Sequence, residues 1–185
     1  MASDTGDAHG RFVAKALDRF EGPLTTYADR LLGDLHAARD VVQDVFLRLC
    51  AADRARVEGH LAPWLYRVCR NRAMDVRRKG RLMPRTNAET MESRQSAGPG
   101  PDAGPAGREA HAQAMLAIAG LPEAQQEAVR LKFQHGLSYR EIAEVTGRTT
   151  GSVGVLIHEG MCALRRRLAG AAVIAAGIAA NGGVR

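Results

Sequence analysis

Apolar side chains recur at helical spacing wherever the 185-residue chain is regular. Within 37–50, Ala38, Val42, Val45, Phe46 and Leu49 share one face, with Asp40, Gln43, Asp44 and Arg48 on the other side. Within 61–79, Leu61, Leu65, Val68, Cys69, Arg72 and Val76 define a stripe. Pro63 stands in that helix's first turn, where its missing N–H costs little. A shorter helix is expected over Leu24–Leu32, entered after Gly22-Pro23 and ended by Gly33. Further on, Leu121-Pro122-Glu123 opens a helix carrying Ala124, Ala128, Val129 and Leu131, with Gly136 placed as its C′ residue. Ser138-Tyr-Arg-Glu141 is a capping box, and the helix it starts carries Ile142, Ala143 and Val145 and stops at Gly147. Thr149 or Thr150 can cap the next helix, along which Val153, Leu156, Ile157, Met161, Leu164 and Leu168 recur. No period-2 alternation and no Asn-Gly or Asp-Gly hairpin turn occurs. The expected fold is all-α.

Residues 83–112 break the pattern. They contain no Val, Ile, Leu, Phe, Tyr or Trp, but four Gly and four Pro. Such a segment buries too little apolar surface to offset its ordering entropy. It reads as a flexible linker between two small helical domains, 11–82 and 113–169. Residues 1–10 are expected to be disordered, and 170–185 form an Ala/Gly-rich tail.

Composition, 45% hydrophobic and 25% charged, excludes wholesale disorder, and 4% aromatic content argues against a large β-sandwich. The net charge of +6 favours a polyanionic partner. It is local: residues 11–82 hold 15 basic and 9 acidic side chains. Arg67, Arg70, Arg72, Arg77, Arg78, Lys79 and Arg81 crowd into 67–81, with Asp75 the only acid. Cys50, Cys69 and Cys162 lack any paired Cys/His spacing and read as reduced thiols, two of them on apolar helix faces. No metal site and no cofactor is expected. Met1–Gly10 has no apolar run of the signal-peptide kind. The uncharged run Leu168–Ala180 is shorter than the ~17 residues a membrane span needs.

Two features carry chemistry. The short helix, Gly-containing turn and longer amphipathic helix of 138–168 make a helix-turn-helix, whose second helix enters the DNA major groove. The basic run, beside Trp64, Tyr66 and Asn71, offers phosphate contacts together with stacking faces, a combination suited to opened nucleic acid. No GxSxG, Walker loop or HExxH occurs, and the six dispersed His residues read as surface or capping groups. No enzyme activity and no small-molecule substrate is expected.

Together these segments resemble a family. Asp40-Val-Val-Gln43-Asp44-Val-Phe46-Leu-Arg48, then Trp64-Leu-Tyr66-Arg67-Val-Cys-Arg-Asn71, then Arg77-Arg78-Lys79, look like the second region of bacterial sigma factors. Leu121-Pro122-Glu123, Gly136-Leu-Ser138-Tyr-Arg-Glu141-Ile-Ala143 and Val153…His158…Ala163-Leu164-Arg165 look like the fourth. A chain with only these two regions is similar to the extracytoplasmic-function class. The resemblance implies that Asp40, Gln43, Asp44 and Arg48 dock on core RNA polymerase. It implies that the loop 51–62 reads a base flipped from the non-template strand of the minus-ten element. Trp64, Tyr66, Arg67, Arg70, Asn71, Arg77, Arg78 and Lys79 would hold the opened strand. Arg148, Thr149, Thr150, Ser152, Val155 and His158 would contact the minus-thirty-five duplex. The implied partners are core polymerase, promoter DNA and an anti-sigma factor. The implied location is the cytoplasm, at the nucleoid or tethered to the membrane through that regulator.

The recognition helix departs from the family's usual Val-Lys-Ser-Arg-Leu-His-Arg. Here it reads Val153-Gly154-Val155-Leu156-Ile157-His158-Glu159, with Gly, Leu and Glu at three basic positions. A second departure is Ala38-Arg39-Asp40 in place of Ala-Glu-Asp. Two other readings stay open: a helix-turn-helix regulator that acts without polymerase, and a sigma-like interaction protein with weak DNA binding.

Overall fold

A computed structural model of the chain describes residues 2–82 and 104–181. The linker core, 83–103, and the last four residues of the tail lie outside them. All described elements are helical. They are α1 (Ala2–Leu32), α2 (Leu35–Ala51), α3 (Arg54–Val57), a 3-10 turn (Glu58–His60), α4 (Leu61–Leu82), α5 (Pro105–Ala119), α6 (Glu123–Phe133), α7 (Tyr139–Thr146) and α8 (Thr150–Asn181). The chain divides into two compact units, one holding α1 to α4, the other α5, α6, α8 and the start of α7.

The first unit packs α2 and α4 against α1 and against each other. Helix α1 is continuous through Pro23, where the sequence predicts a break. Its stripe of Ala16, Phe20, Leu24, Tyr27 and Ala28 is buried on both sides of the proline, whereas Gly22 and Pro23 are exposed. Proline removes one backbone donor on the solvent side, and burial of the shared stripe outweighs that loss. The helix starts at Ala2, within the ten residues expected to be disordered and well before Leu24. His9 touches the last turn of α2 and Phe12 the segment after it, and these contacts order a stretch that composition alone leaves unstructured. On α2 the predicted stripe is buried, with Val41 added. Asp34 caps it, its carboxylate accepting from the N–H groups of His36 (2.9 Å) and Ala37 (3.1 Å).

In the second unit, α5 and α6 pack on α8. Helix α5 starts inside the stretch read as linker. Gly104-Pro105 opens it, and Met115, Ala117 and Ile118 reach a core formed with Leu121, Val129 and Leu164. Arg167 of α8 ends it, donating to the carbonyls of Ala117 (3.0 Å) and Gly120 (2.7 Å), which have no intrahelical donor. The end of α6 comes one residue earlier than predicted, with Gln134 as its C-cap and Gly136 one place beyond C′. Gly136 adopts φ 71°, and the Leu137 N–H reaches the Leu131 carbonyl at 3.0 Å. The capping box forms too: the Ser138 N–H donates to Glu141 at 2.7 Å and the Glu141 N–H to the Ser138 hydroxyl at 3.3 Å. Helix α8 runs on to Asn181, so most of the predicted tail is helical.

Gly160 sets the approach of α8 to α6. A Cβ there would stand 2.9 Å from Val129 Cγ2. Replacing Gly160 with Val should cost about 1–3 kcal/mol of unfolding free energy, read from urea midpoints at constant slope. Hydrogen bonds from Ser138 hold the Glu141 carboxyl below the usual carboxylate range. A lowered folded value means that stability is present above the unfolded pKa and lost as pH falls through the folded one. Glu141→Gln should therefore flatten the acid limb of a melting-temperature profile while leaving its shape above pH ~6 unchanged.

Candidate nucleic-acid interface

Two faces of the first unit point outward. On α2, Asp40, Gln43 and Arg48 are exposed, and Leu47 beside them is 60% exposed. Leu47 also lines an open groove of about 760 Å³ between α1 and α2, with Val13, Leu17, Val42 and Phe46 as its apolar walls and Gln43 at its edge. Mixed charge around exposed apolar side chains suits a protein partner better than a phosphate backbone. Asp44 is different. It is half-buried, and its carboxylate accepts from Arg72 Nε of α4 at 2.6 Å. That pair explains why a cation stands on an otherwise apolar stripe. It also removes Arg72 from the exposed cations of α4.

On α4, Trp64, Arg67, Asn71 and Arg78 follow one another at helical spacing along one side. Arg67, Asn71 and Arg78 are exposed and Trp64 is half-buried, so an indole face stands among polar groups. Arg78 donates to Asp75 at 2.7 Å, Arg70 and Arg77 are half-buried, and Lys79 is exposed.

Tyr66 corrects the sequence reading. It is 2% exposed and packs edge-on against Tyr27, ring centroids 5.3 Å apart. Burial pushes its hydroxyl above the ordinary tyrosine range. Two residues past Trp64 is more than half a helical turn, so Tyr66 faces the core and offers no stacking surface. Cys69, next along that buried side, has a thiol that burial pushes up to about 12, which makes it inert. Of the other cysteines, Cys50 is exposed and Cys162 half-buried, so one thiol, not two, is enclosed in a core. The predicted loop 51–62 is mostly helical turn: α3 and the 3-10 turn fill it, and only Val57 is buried between 52 and 60.

In the second unit Thr149 is the cap of α8. Its hydroxyl oxygen accepts from the Ser152 N–H at 3.1 Å and lies 2.9 Å from the Ser152 hydroxyl. Arg148, Thr150, Ser152, Val155 and His158 are exposed along the start of α8. Glu159, one of the family departures, accepts from Gln125 of α6 at 3.0 Å. A residue outside the sequence reading adds charge here. Lys132 Nζ lies 5.5 Å from the centre of the Tyr139 ring, and Tyr139 is the neighbour nearest Gly154. Lysine and tyrosine seven positions apart, across a helix end, give no sequence signal of this contact.

Among the described residues, no cluster of three His, Cys, Asp or Glu could hold a metal, and no helix is long and apolar enough to cross a membrane.

Residues 16–82 match sigma-70 region 2 and residues 111–164 match sigma-70 region 4. Over 143 residues the chain is 33% identical to the ECF RNA polymerase sigma factor SigE of Mycolicibacterium smegmatis, covering 77% of this chain and 56% of SigE. The chain belongs to the sigma factors of the extracytoplasmic-function (ECF) class. This sigma factor is also 29% identical over 164 residues to SigW of Bacillus subtilis, across 84% of this chain and 88% of SigW. It thus spans just over half of SigE but most of SigW. Its fold is that of the sigma factor RpoE solved with the anti-sigma factor NepR from Bartonella quintana, at TM-score 0.61 and 21% identity over 84% of this chain and 95% of that one. CnrH, solved with the cytosolic domain of CnrY, matches at TM-score 0.56 and 22% identity over 91% and 95%.

The Asp44–Arg72 pair should show a coupling of about 0.5–1 kcal/mol in a double-mutant cycle of Asp44→Ala and Arg72→Ala, measured by urea unfolding.

Proposed function

We propose that this sigma factor binds core RNA polymerase, directs promoter recognition and opens the promoter strands for transcription initiation. One observation carries the reading. A single chain combines a region 2 fold, with the Trp64–Arg67–Asn71–Arg78 side of α4 turned outward, and a region 4 helix-turn-helix. A repressor that reads duplex alone has no use for an indole among cations. Opening is a binding process: a base leaving the stack costs a few kcal/mol, and the opened strand must be held better than the duplex. Stacking on Trp64, polar contact from Asn71 and phosphate contacts from Arg67, Arg70, Arg77, Arg78 and Lys79 supply that preference. Tyr66 supports this surface from beneath.

The α2 face of Asp40, Gln43 and Arg48, with Leu47 and the adjoining groove, is the polymerase-docking surface, and Asp44 shapes it through Arg72. The start of α8 reads the upstream duplex through Arg148, Thr149, Thr150, Ser152, Val155 and His158. Lys132 and Arg148 provide cationic charge that the helix itself lacks. The protein acts by binding and performs no catalytic step of its own. RpoE is solved with an anti-sigma factor, and a regulator of that kind is the partner proposed for the inactive state here.

The nearly neutral recognition helix is the one observation favouring a sigma-like protein that engages polymerase without strong upstream binding.

Purified protein with core polymerase should initiate from a cognate promoter. Stable core binding with no transcript from any fragment of a genomic library would favour the second reading instead. Trp64→Ala with Asn71→Ala should lower permanganate reactivity of the opened strand about 10-fold, with closed-complex affinity little changed. Removing Lys132 and Arg148 should each reduce the salt slope of upstream-duplex binding by about 1.

A further inference from the structure

Residues near the start of α1 grip the last turn of α2 and the segment that follows it. Helix α2 ends at Ala51, so the Cys50 carbonyl has no intrahelical donor. His9 Nε2 lies 3.0 Å from that oxygen and, since a carbonyl only accepts, carries the proton of the bond. One turn later the Phe12 ring lies 5.3 Å from the Arg54 guanidinium carbon. Arg54 Nη1 also donates to the Ala8 carbonyl at 3.4 Å. Its other edge makes a two-bond fork with Glu58, Nε to Oε2 at 3.0 Å and Nη2 to Oε1 at 2.7 Å. Arg54 therefore ties α1, α3 and the 3-10 turn together at one point.

The core does not require this grip. Buried residues of α1 begin at Ala16, and the region 2 match begins at the same position. Ala8, His9 and Phe12 lie before both. Between 52 and 60 Val57 is the one fully buried side chain, too little apolar surface by itself to fix nine residues. Arg56, Gly59 and His60 meanwhile point to solvent.

We propose that residues 8–12 form a positioning latch that holds the 52–60 segment in the posture in which it reads the opened promoter strand. His9, Phe12 and Arg54 are its positioning residues. The inference rests on the strand-reading role that the sigma-factor reading gives to this segment. A base reader must keep its contact groups within fractions of an ångström, and a segment free to drift accepts wrong bases.

The test uses the full chain with core polymerase and a promoter set in which each minus-ten base is varied in turn. His9→Ala with Phe12→Ala should leave core affinity unchanged but reduce discrimination at one base position roughly tenfold, the size of one mismatch. Amide exchange in 52–60 should rise in the same variant. Phe12→Tyr, which keeps the ring, should restore discrimination, and Arg54→Lys, which loses the fork, should not. Intact discrimination in the double variant overturns the latch, whether or not exchange rises. Arg56→Ala and His60→Ala separate the two levels. If they alter discrimination and the latch variant does not, the latch alone is wrong. If neither set alters it, the strand-reading role of the segment falls, and the latch with it.

Discussion

The apolar stripe of α1 is the surface on which the first unit is assembled. Ala16, Phe20, Leu24, Tyr27 and Ala28 are all buried, and burying the larger of these side chains contributes roughly 1.5–3 kcal/mol each. Covering the stripe forces α2 and α4 to turn Val41, Val45 and Leu49, and Leu65, Tyr66 and Cys69, inward. The opposite sides then have no choice of direction. Asp40 and Gln43 on α2, and Arg67 and Asn71 on α4, face solvent because their neighbours face α1. Two outward faces are thus by-products of one packing constraint, and Pro23 is tolerated because the stripe bridges it.

Charge is distributed less freely than a count suggests. Arg72 is spent on Asp44, Arg54 on Glu58, and Arg78 reaches Asp75. In the second unit Glu159 is tied to Gln125 and Arg167 to the end of α5. All but the Arg78–Asp75 pair, which lies within α4, join one helical element to another as well as colouring the surface. The net excess of cations on α4 remains, but it is narrower and more directional than seven basic residues in a row. At the start of α8 the order is reversed: residues 150–159 hold no Lys or Arg, and Lys132, brought in from α6 over Tyr139, stands close to them.

Much of this arrangement is legible in the chain. The stripes of α2 and α4, the Gly136 stop, the Ser138–Glu141 box and the cap at the head of α8 all follow from spacing and turn chemistry within ten residues or so. Region order and motif identity alone resemble the sigma-factor family. Several segments depart from what local pattern predicts. Among them, α1 runs unbroken through Gly22-Pro23, α5 begins within the Gly/Pro-rich stretch, and the helix starts at Ala2 within the first ten residues. Each is a segment whose order is completed by partners distant in sequence: Leu24 and Tyr27 against α4, Met115 and Ile118 against Leu164, and His9 and Phe12 against the end of α2 and the turn after it.

The sequence by itself determined the helical class, the two-module order and most helix ends, because periodicity, capping and turn residues act over one or two turns. Only the tertiary structure decided which side chains of a shared motif face out. Trp64 and Tyr66 read alike as aromatic strand contacts, yet one is half-exposed and the other is core. Asp44 reads as a docking carboxylate, yet it is bonded to Arg72. The reason is geometric: on a helix, two residues of separation reverse direction, and the direction that becomes the inside is set by where another helix lies.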